Sequence, residues 1–523
     1  MAFAEMNFSM LAPLIAVVAG ALAVLVVDLV LPLGRSRLAS FAVALASVAL
    51  AAACTIQRGW LGGRAGAAAG AGLETAGGAY VGDGYTVLFH LVILGATVLS
   101  IVLSASWREM RDDDELRMDN SGYMSLLLLA AAGMMAMVAA GDLITLFVGL
   151  ELLSLSLYVL VGFSRHGTAA REGAFKYFIL GSVAAGFLLY GFALLYGEVG
   201  SVLLSDLAAH WQSGAAALGG RARMGIALAV VGFSFKLALV PFHAWAPDAY
   251  QGAPTPVTAF MAVGTKVAAF AALFRFLSAS VPSPQLAAVM VPLGILAVLS
   301  MAVGSLGAMV QAEFKRLLAY SAIAHAGYLV LALSHRSVEA VTAGFLYLVA
   351  YGLTSLGAFA VLLWVTRGYR DGGRLETFHG LYYRNPWPAI ALTLFLLSMA
   401  GVPPTGGFVG KWLLVLAGVR SGAWLMITGL ALTTGISAYV YLRVVKAMFS
   451  REAAGAAQAG PASVAAEEAA AAAEGETSPR EPLPWPLAAS LAAVIVVCAV
   501  GTLQLGLAPE WVVAGARQLL VLP

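Results

Sequence analysis

Residues 142–165 read DLITLFVGLELLSLSLYVLVGFSR, and between Asp142 and Arg165 the only ionisable side chain expected to carry charge at neutral pH is Glu151. A membrane-spanning helix needs about 20 predominantly apolar residues, and this stretch supplies them without the polar stripe of a soluble surface helix. Glu151 lies nine residues past Asp142 and fourteen before Arg165. At the helical rise this is roughly 13 Å and 21 Å from the two ends, near the bilayer midplane. A charged side chain there costs about 2.5–3.5 kcal/mol, so the carboxylate has to be paired, protonated or next to water. A structural polar contact between helices is the plainer alternative to a functional role.

The rest of the chain reads the same way. Of 523 residues, 61% are hydrophobic and 11% are charged, and the mean hydropathy is +0.90. Soluble domains run about 45–50% apolar and about 25% charged. A disordered chain, a secreted disulfide scaffold and an ordinary soluble enzyme are excluded. The apolar runs are continuous and not alternating, which argues against a barrel. A net charge of +2 gives no electrostatic case for nucleic acid. Cys54 and Cys498 both sit in apolar runs, with no CxxC and no Cys/His cluster to hold zinc or an iron–sulfur group. The N-terminus lacks the basic segment of a signal peptide, so the first apolar run is expected to be retained as a helix. The fold class is an all-α polytopic membrane protein.

About fourteen spans are expected, starting near Met10, Leu38, Gly84, Gly122, Asp142, Glu172, Met224, Pro256, Pro284, Lys315, Ser337, Pro386, Gly422 and Pro484. With the N-terminus outside, about eighteen basic residues fall in inside loops and about eight outside, as the positive-inside rule requires. Both termini are then outside. Lys236, Lys266 and Lys411 fall within spans. Residues 61–79 read as a Gly/Ala-rich outside loop and 452–480 as a low-complexity inside linker, both poor structure formers.

Two of the three intramembrane lysines adjoin helix breaks. Lys236 stands in GFSFKLALVPFHAW (232–245), five residues before Pro241. Lys411 stands in LLSMAGVPPTGGFVGKWLL (396–414), just after Pro403, Pro404, Gly406 and Gly407. Proline removes a backbone donor and frees carbonyls, and such breaks at membrane depth are tolerated only against protein or a wet cavity. A snorkelling lysine is the plain alternative, but Lys236 lies some twelve residues into its span. The GGFVGKW segment is not a phosphate loop, because Thr405 and Trp412 occupy positions that need Gly and Ser or Thr. Lys266 and His325 are each about ten residues into their spans, and a neutral imidazole can both donate and accept. Asp28 and His90 sit nearer span ends and suit structural roles. Paired interrupted segments in corresponding positions of two halves mark repeated transporter folds. The chain divides into residues 1–121 (three helices), 122–279 and 283–450 (five helices each), 452–482 (linker) and 483–523 (a last helix).

The motifs GLELLSLSLYVLVGF (149–163), EGAFKYFILGSVAAGFLLYG (172–191), FKLALVPFHAWAPDAYQGAPTPVTAF (235–260), KRLLAYSAIAHAGYL (315–329) and GVPPTGGFVGKW (401–412) together resemble the antiporter-like subunits of proton-pumping respiratory NADH:quinone oxidoreductase (complex I). The wording of the third resembles the subunit N branch. The resemblance implies two inverted five-helix repeats over 122–279 and 283–450, each with a discontinuous helix. It implies that Glu151 and Lys236 form a Glu–Lys pair, that Lys266 is the central lysine, that His325 is a polar relay and that Lys411 is the terminal lysine. Ser156 departs from the family, whose members often carry Pro there, and 61–79 and 452–480 look like insertions.

The expected function is proton translocation through these five residues, with no redox step in this chain. Attraction to Glu151 would hold a proton on Lys236, and separating the two would release it toward Lys266, His325 and Lys411. NADH, flavin, iron–sulfur clusters and quinone are expected in partner subunits, and the chain itself is expected to hold no cofactor. Expected partners are a peripheral redox arm, neighbouring membrane subunits and lipid, in a bacterial plasma (inner) membrane. The alternatives are a subunit of a multi-subunit Na⁺/H⁺ antiporter or membrane-bound hydrogenase, and an inert assembly scaffold.

Overall fold

A computed structural model describes residues 7–64, 74–109, 120–164, 167–212, 218–282, 285–366, 373–450 and 485–520. The uninterrupted apolar runs fold as helices because only a helix satisfies its backbone polar groups internally in hydrocarbon. The first set is α1 (Phe8–Val30), α2 (Leu33–Arg64) and α3 (Gly84–Glu109). The second set is α4 (Asn120–Ala139), α5 (Leu143–Val161), α6 (Thr168–Val199), the short α7 (Leu204–Gln212), α8 (Gly220–Leu237), α9 (Trp245–Gly252) and α10 (Thr255–Ser280). Next come α11 (Leu286–Met309), α12 (Phe314–Leu333), α13 (Val338–Thr366), a one-turn α14 (Leu381–Arg384), α15 (Pro386–Ala400), α16 (Gly406–Ser421) and α17 (Trp424–Met448). The chain closes with α18 (Trp485–Leu507) and α19 (Glu510–Leu519).

Among the described residues, twelve helices are long and apolar enough to cross a membrane. Two further expected spans are the interrupted ones, α8 with α9 and α15 with α16, each split where proline was expected to break it. α10 is the hub, with every residue of its most apolar window buried, whereas only 33% of the corresponding window of α2 is buried. The outer helices show apolar side chains such as Leu22, Val148, Phe175, Val291 and Leu432 on their outward faces.

One expectation is corrected. Residues 61–79 are not wholly loop. α2 continues to Arg64, and Glu74–Thr75 pairs antiparallel with Tyr80–Val81 as a two-stranded hairpin, β1 and β2. The turn uses positive φ at Ala76, Gly77 and Gly78, which the Gly-rich composition permits. Tyr80 then bridges to Ala140 and Asp142 to Leu203, so the hairpin is stitched to the α4–α5 turn. The 452–480 segment lies outside the described residues.

The hairpin leads into a buried ion pair. Asp83, just before α3, accepts from Arg275 of α10 at 2.9 Å and from the Thr86 amide at 2.8 Å. Burial alone would push the Asp83 carboxyl up; the attraction and hydrogen bond of Arg275, with those of Thr86, outweigh it and hold it below its ordinary value. Arg275 also lies 5.0 Å over the Tyr85 ring, tying α3 to the hub.

Candidate proton-transfer site

Lys236 is the penultimate residue of α8 and is buried. After Leu237 the chain turns through Ala238, held in the left-handed region at φ +58°. The amides of Ala238 and Leu239 fold back on the carbonyls of Phe235 and Ser234 at 3.0 and 2.8 Å. The Val240 amide donates to Ser300 of α11 at 2.8 Å, and the Trp245 indole donates to the Phe235 carbonyl at 3.0 Å. Much of the backbone polarity released by the break is thus satisfied inside the protein, as membrane depth demands.

The Lys236 ammonium donates to Ser154 Oγ at 2.8 Å and to the Tyr177 hydroxyl at 3.2 Å. Ser154 follows Glu151 by three residues, so the carboxylate and the lysine's partner share one face of α5, a turn apart. Among the described residues no N···O contact within 4.0 Å joins Glu151 and Lys236 directly. Glu151 is half-buried, and its Oε1 is buried without a hydrogen-bond partner. A small cavity bordered by Leu150, Ser154, Tyr158, Gly181, Gly232 and Lys236 opens beside the ammonium. It has room for about one water molecule.

Lys266 sits midway along α10 and reaches the Tyr250 hydroxyl at 3.4 Å, with the Tyr351 ring 5.6 Å away. His325 contacts the Tyr347 hydroxyl through Nδ1 and the Tyr441 hydroxyl through Nε2, the latter at 3.2 Å. Its ring lies 5.1 Å from that of Tyr351. Lys411 reaches back from α16 across the second break and donates to the carbonyls of Met399 and Ala400 at 2.9 and 3.0 Å. These are among the last carbonyls of α15, the negative end of its dipole. The Tyr328 ring lies 5.2 Å from the ammonium.

The two breaks are connected. Tyr177 stacks on Trp245 at 4.3 Å and 14°, and Trp245 meets Tyr250 at 6.5 Å. Tyr250 leads to Lys266, Tyr351 to His325, and Tyr328 to Lys411. Trp245 cannot pass a proton, because its single N–H is committed to the Phe235 carbonyl; it sets spacing. The halves also correspond in position. Ser154 and His325 each lie eleven residues into their helices from Leu143 and Phe314, and Tyr177 and Tyr347 each lie nine from Thr168 and Val338.

All five expected residues are therefore placed on this line or at its edge, with Glu151 one turn removed. The hydroxyls of Ser154, Tyr177, Tyr250, Tyr347 and Tyr441 were missed by sequence reasoning. The available signal was that a buried ammonium needs acceptors, and tyrosine is the largest apolar residue that brings one. His90 bonds the Met135 carbonyl at 2.9 Å and Asp28 accepts from Ser121 at 2.7 Å, both structural contacts. Asp142 caps α5 through the Thr145 amide. Among the described residues no three His, Cys, Asp or Glu side chains gather as a metal group.

Interrupted helices in matching positions, each with a buried lysine and joined by a buried polar line, define an antiporter-like membrane subunit. Residues 140–437 match the family described as NADH:quinone oxidoreductase/Mrp antiporter, TM, and the chain belongs to that family. It is similar to NADH-quinone oxidoreductase subunit N 1 of Symbiobacterium thermophilum, at 44% identity over 509 residues, 97% of this chain and 96% of the relative. It is 36% identical over 520 residues to NADH-quinone oxidoreductase subunit N of Chloroflexus aggregans, covering 98% and 97% of the two chains. A chain of respiratory complex I from Thermus thermophilus with bound aureothin superposes with a TM-score of 0.75 at 34% identity, over 96% of this chain and 98% of that one. A chain of the Mrp complex from Dietzia sp. DQ12-45-1b shares the fold at TM-score 0.77 and 21% identity, covering 98% and 97%.

Proposed function

We propose that this chain is the subunit N-type proton-translocating membrane subunit of an NADH:quinone oxidoreductase. Protons pass along Glu151, Lys236, Lys266, His325 and Lys411, with tyrosine hydroxyls and water between them. The observation that carries this reading is the succession of buried ionisable and hydroxyl groups from Lys236 to Lys411, interrupted at Trp245, since a structural lysine at one break requires no second buried lysine at the other. Energy comes from quinone reduction in partner subunits, which hold the NADH site, flavin, iron–sulfur clusters and quinone. Neighbouring membrane subunits and a peripheral redox arm are its partners, in a bacterial inner membrane with both termini outside. Residues 122–279 and 283–450 form two inverted repeats, 1–121 and 483–523 flank them, and 452–482 is a linker.

The charge logic starts at Lys236. Its two hydroxyl partners solvate the ammonium, while Glu151, one helical turn from Ser154, supplies an attraction that changes if α5 shifts against α8. The two groups titrate as a coupled unit, so a proton belongs to the pair. The test is Lys236→Met in inverted membrane vesicles, recording NADH:quinone turnover and NADH-driven acidification per assembled complex. Both collapsing with the complex present supports the reading. Both persisting makes Lys236 structural and ends it, and turnover independent of this chain favours a Na⁺/H⁺ antiporter or hydrogenase assembly.

A further inference from the structure

The short helix α9 is gripped from both halves of the chain. Asp248, in its first turn, accepts from Arg316 of α12 at 2.6 Å and from Lys176 of α6 at 2.7 Å. Arg316 also reaches Gln251 Oε1 at 2.7 Å, and the Gln251 amide donates to Glu313 at 2.6 Å. At the far end of α9, Lys315 donates to the Ala253 carbonyl at 2.9 Å. Against α6 the fit is backbone to backbone. A Cβ on Gly173 would stand 2.6 Å from the Asp248 carbonyl oxygen, and one on Gly252 would stand 2.4 Å from that of Ala169.

What α9 carries makes the grip consequential. Trp245 stacks on Tyr177, a hydrogen-bond partner of Lys236, and Tyr250 is the hydroxyl that meets Lys266. The spacing between the first two lysines is therefore set by the position of an eight-residue helix. That helix is too short to hold itself in place by its own hydrogen bonds. Arg316 belongs to the same helix as His325, nine residues away.

We infer that Asp248 and Arg316 are positioning residues that couple the two halves: α12 of the second half holds α9 of the first, and so aligns Trp245 and Tyr250 between Lys236 and Lys266. A shift of α12 that changes the surroundings of His325 then moves the Lys236–Lys266 step with it. The inference rests on the proposed proton path and adds a mechanical link that the path alone does not require.

The experiment uses the intact complex in inverted vesicles, measuring NADH-driven acidification per assembled complex. Variants are Asp248→Asn, Arg316→Gln, Arg316→Lys, the double variant Asp248→Asn with Arg316→Gln, and Lys236→Met as reference. A partly buried charge-assisted pair is worth about a factor of ten in an equilibrium. Asp248→Asn and Arg316→Gln are therefore expected to lower acidification about tenfold per assembled complex. Arg316→Lys keeps the charge but lacks the Nε–H that Arg316 gives to Gln311 at 3.2 Å, and should fall between. The double variant should fall little further than either single one, as two residues acting through one contact do. A contact that serves only assembly would lower the amount of complex and leave acidification per complex unchanged, which would overturn the inference. A double variant whose loss, in assembled complex, is the product of the two single losses would overturn it too. If Lys236→Met itself retains full acidification, the proposed path fails; if only the Asp248 and Arg316 variants do, the path stands and the coupling does not.

Discussion

Gly407 offers a way to pull the second break apart without touching a charge. A Cβ at this position would stand 1.9 Å from the Ser398 carbonyl oxygen, where ordinary contact begins at 3.4 Å, so α15 and α16 would have to part by about 1.5 Å. The Lys411 hydrogen bonds to Met399 and Ala400 start at 2.9 and 3.0 Å and cannot survive a separation of that size. The Gly407 amide would also leave Ser398 Oγ, now at 3.1 Å. Two hydrogen bonds to a charged group contribute about 1.5–3 kcal/mol each, and partial relaxation leaves a loss of about 3 kcal/mol. In a chain this large, that lowers the midpoint of thermal dissociation by on the order of 5 °C. The assay is loss of this subunit from detergent-purified complex across a temperature ramp, paired with NADH-driven acidification per complex. Gly186→Ala is the control, because a Cβ there meets nothing within 4 Å. A Gly407→Ala complex with unchanged midpoint and full acidification would refute the claim that contact between the half-helices holds Lys411.

Tyr177→Phe removes one acceptor of the Lys236 ammonium and keeps the stack on Trp245; acidification should fall about tenfold with little change in thermal midpoint. Asp83→Asn tests acid linkage. The folded carboxyl lies below its unfolded value, so its stabilisation is fully present above about pH 4 and is lost as pH falls through the lower folded value. The natural chain should therefore lose thermal midpoint more steeply than Asp83→Asn as the medium is taken below pH 4, and parallel curves would count against the Asp83–Arg275 pair as a stabilising contact.

The parts of this structure that were legible in the sequence are those that hydrocarbon enforces. Glu151, Lys236, Lys266 and Lys411 stand out because a charge inside an apolar run is expensive, and Pro241 and Pro403 mark breaks because a missing donor must be compensated locally. What stayed hidden depends on which helices meet. Nothing in the run around Tyr177 or Tyr250 says that those hydroxyls, and not Tyr190 or Tyr196, face the lysines. Asp248 and Arg316 are sixty-eight residues apart and read as ordinary loop-end charges until α9 and α12 are seen side by side. The hairpin at Glu74–Val81 was hidden by composition, since Gly and Ala are both depleted in strands and the pairing is only two residues long.

The two breaks solve the same backbone problem with different residues. At the first, the Trp245 indole and the Ala238 amide serve the Phe235 carbonyl, and Lys236 bonds side-chain hydroxyls and no backbone carbonyl. At the second, Lys411 itself supplies that service to Met399 and Ala400. Replacing Lys236 therefore strips no backbone carbonyl of its donor, so the first break is disturbed less by that change than the second is by loss of Lys411. Position 411 is a keystone of the second break: a replacement that cannot donate leaves the Met399 and Ala400 carbonyls unserved, and a lineage that loses this lysine has to rebuild the break.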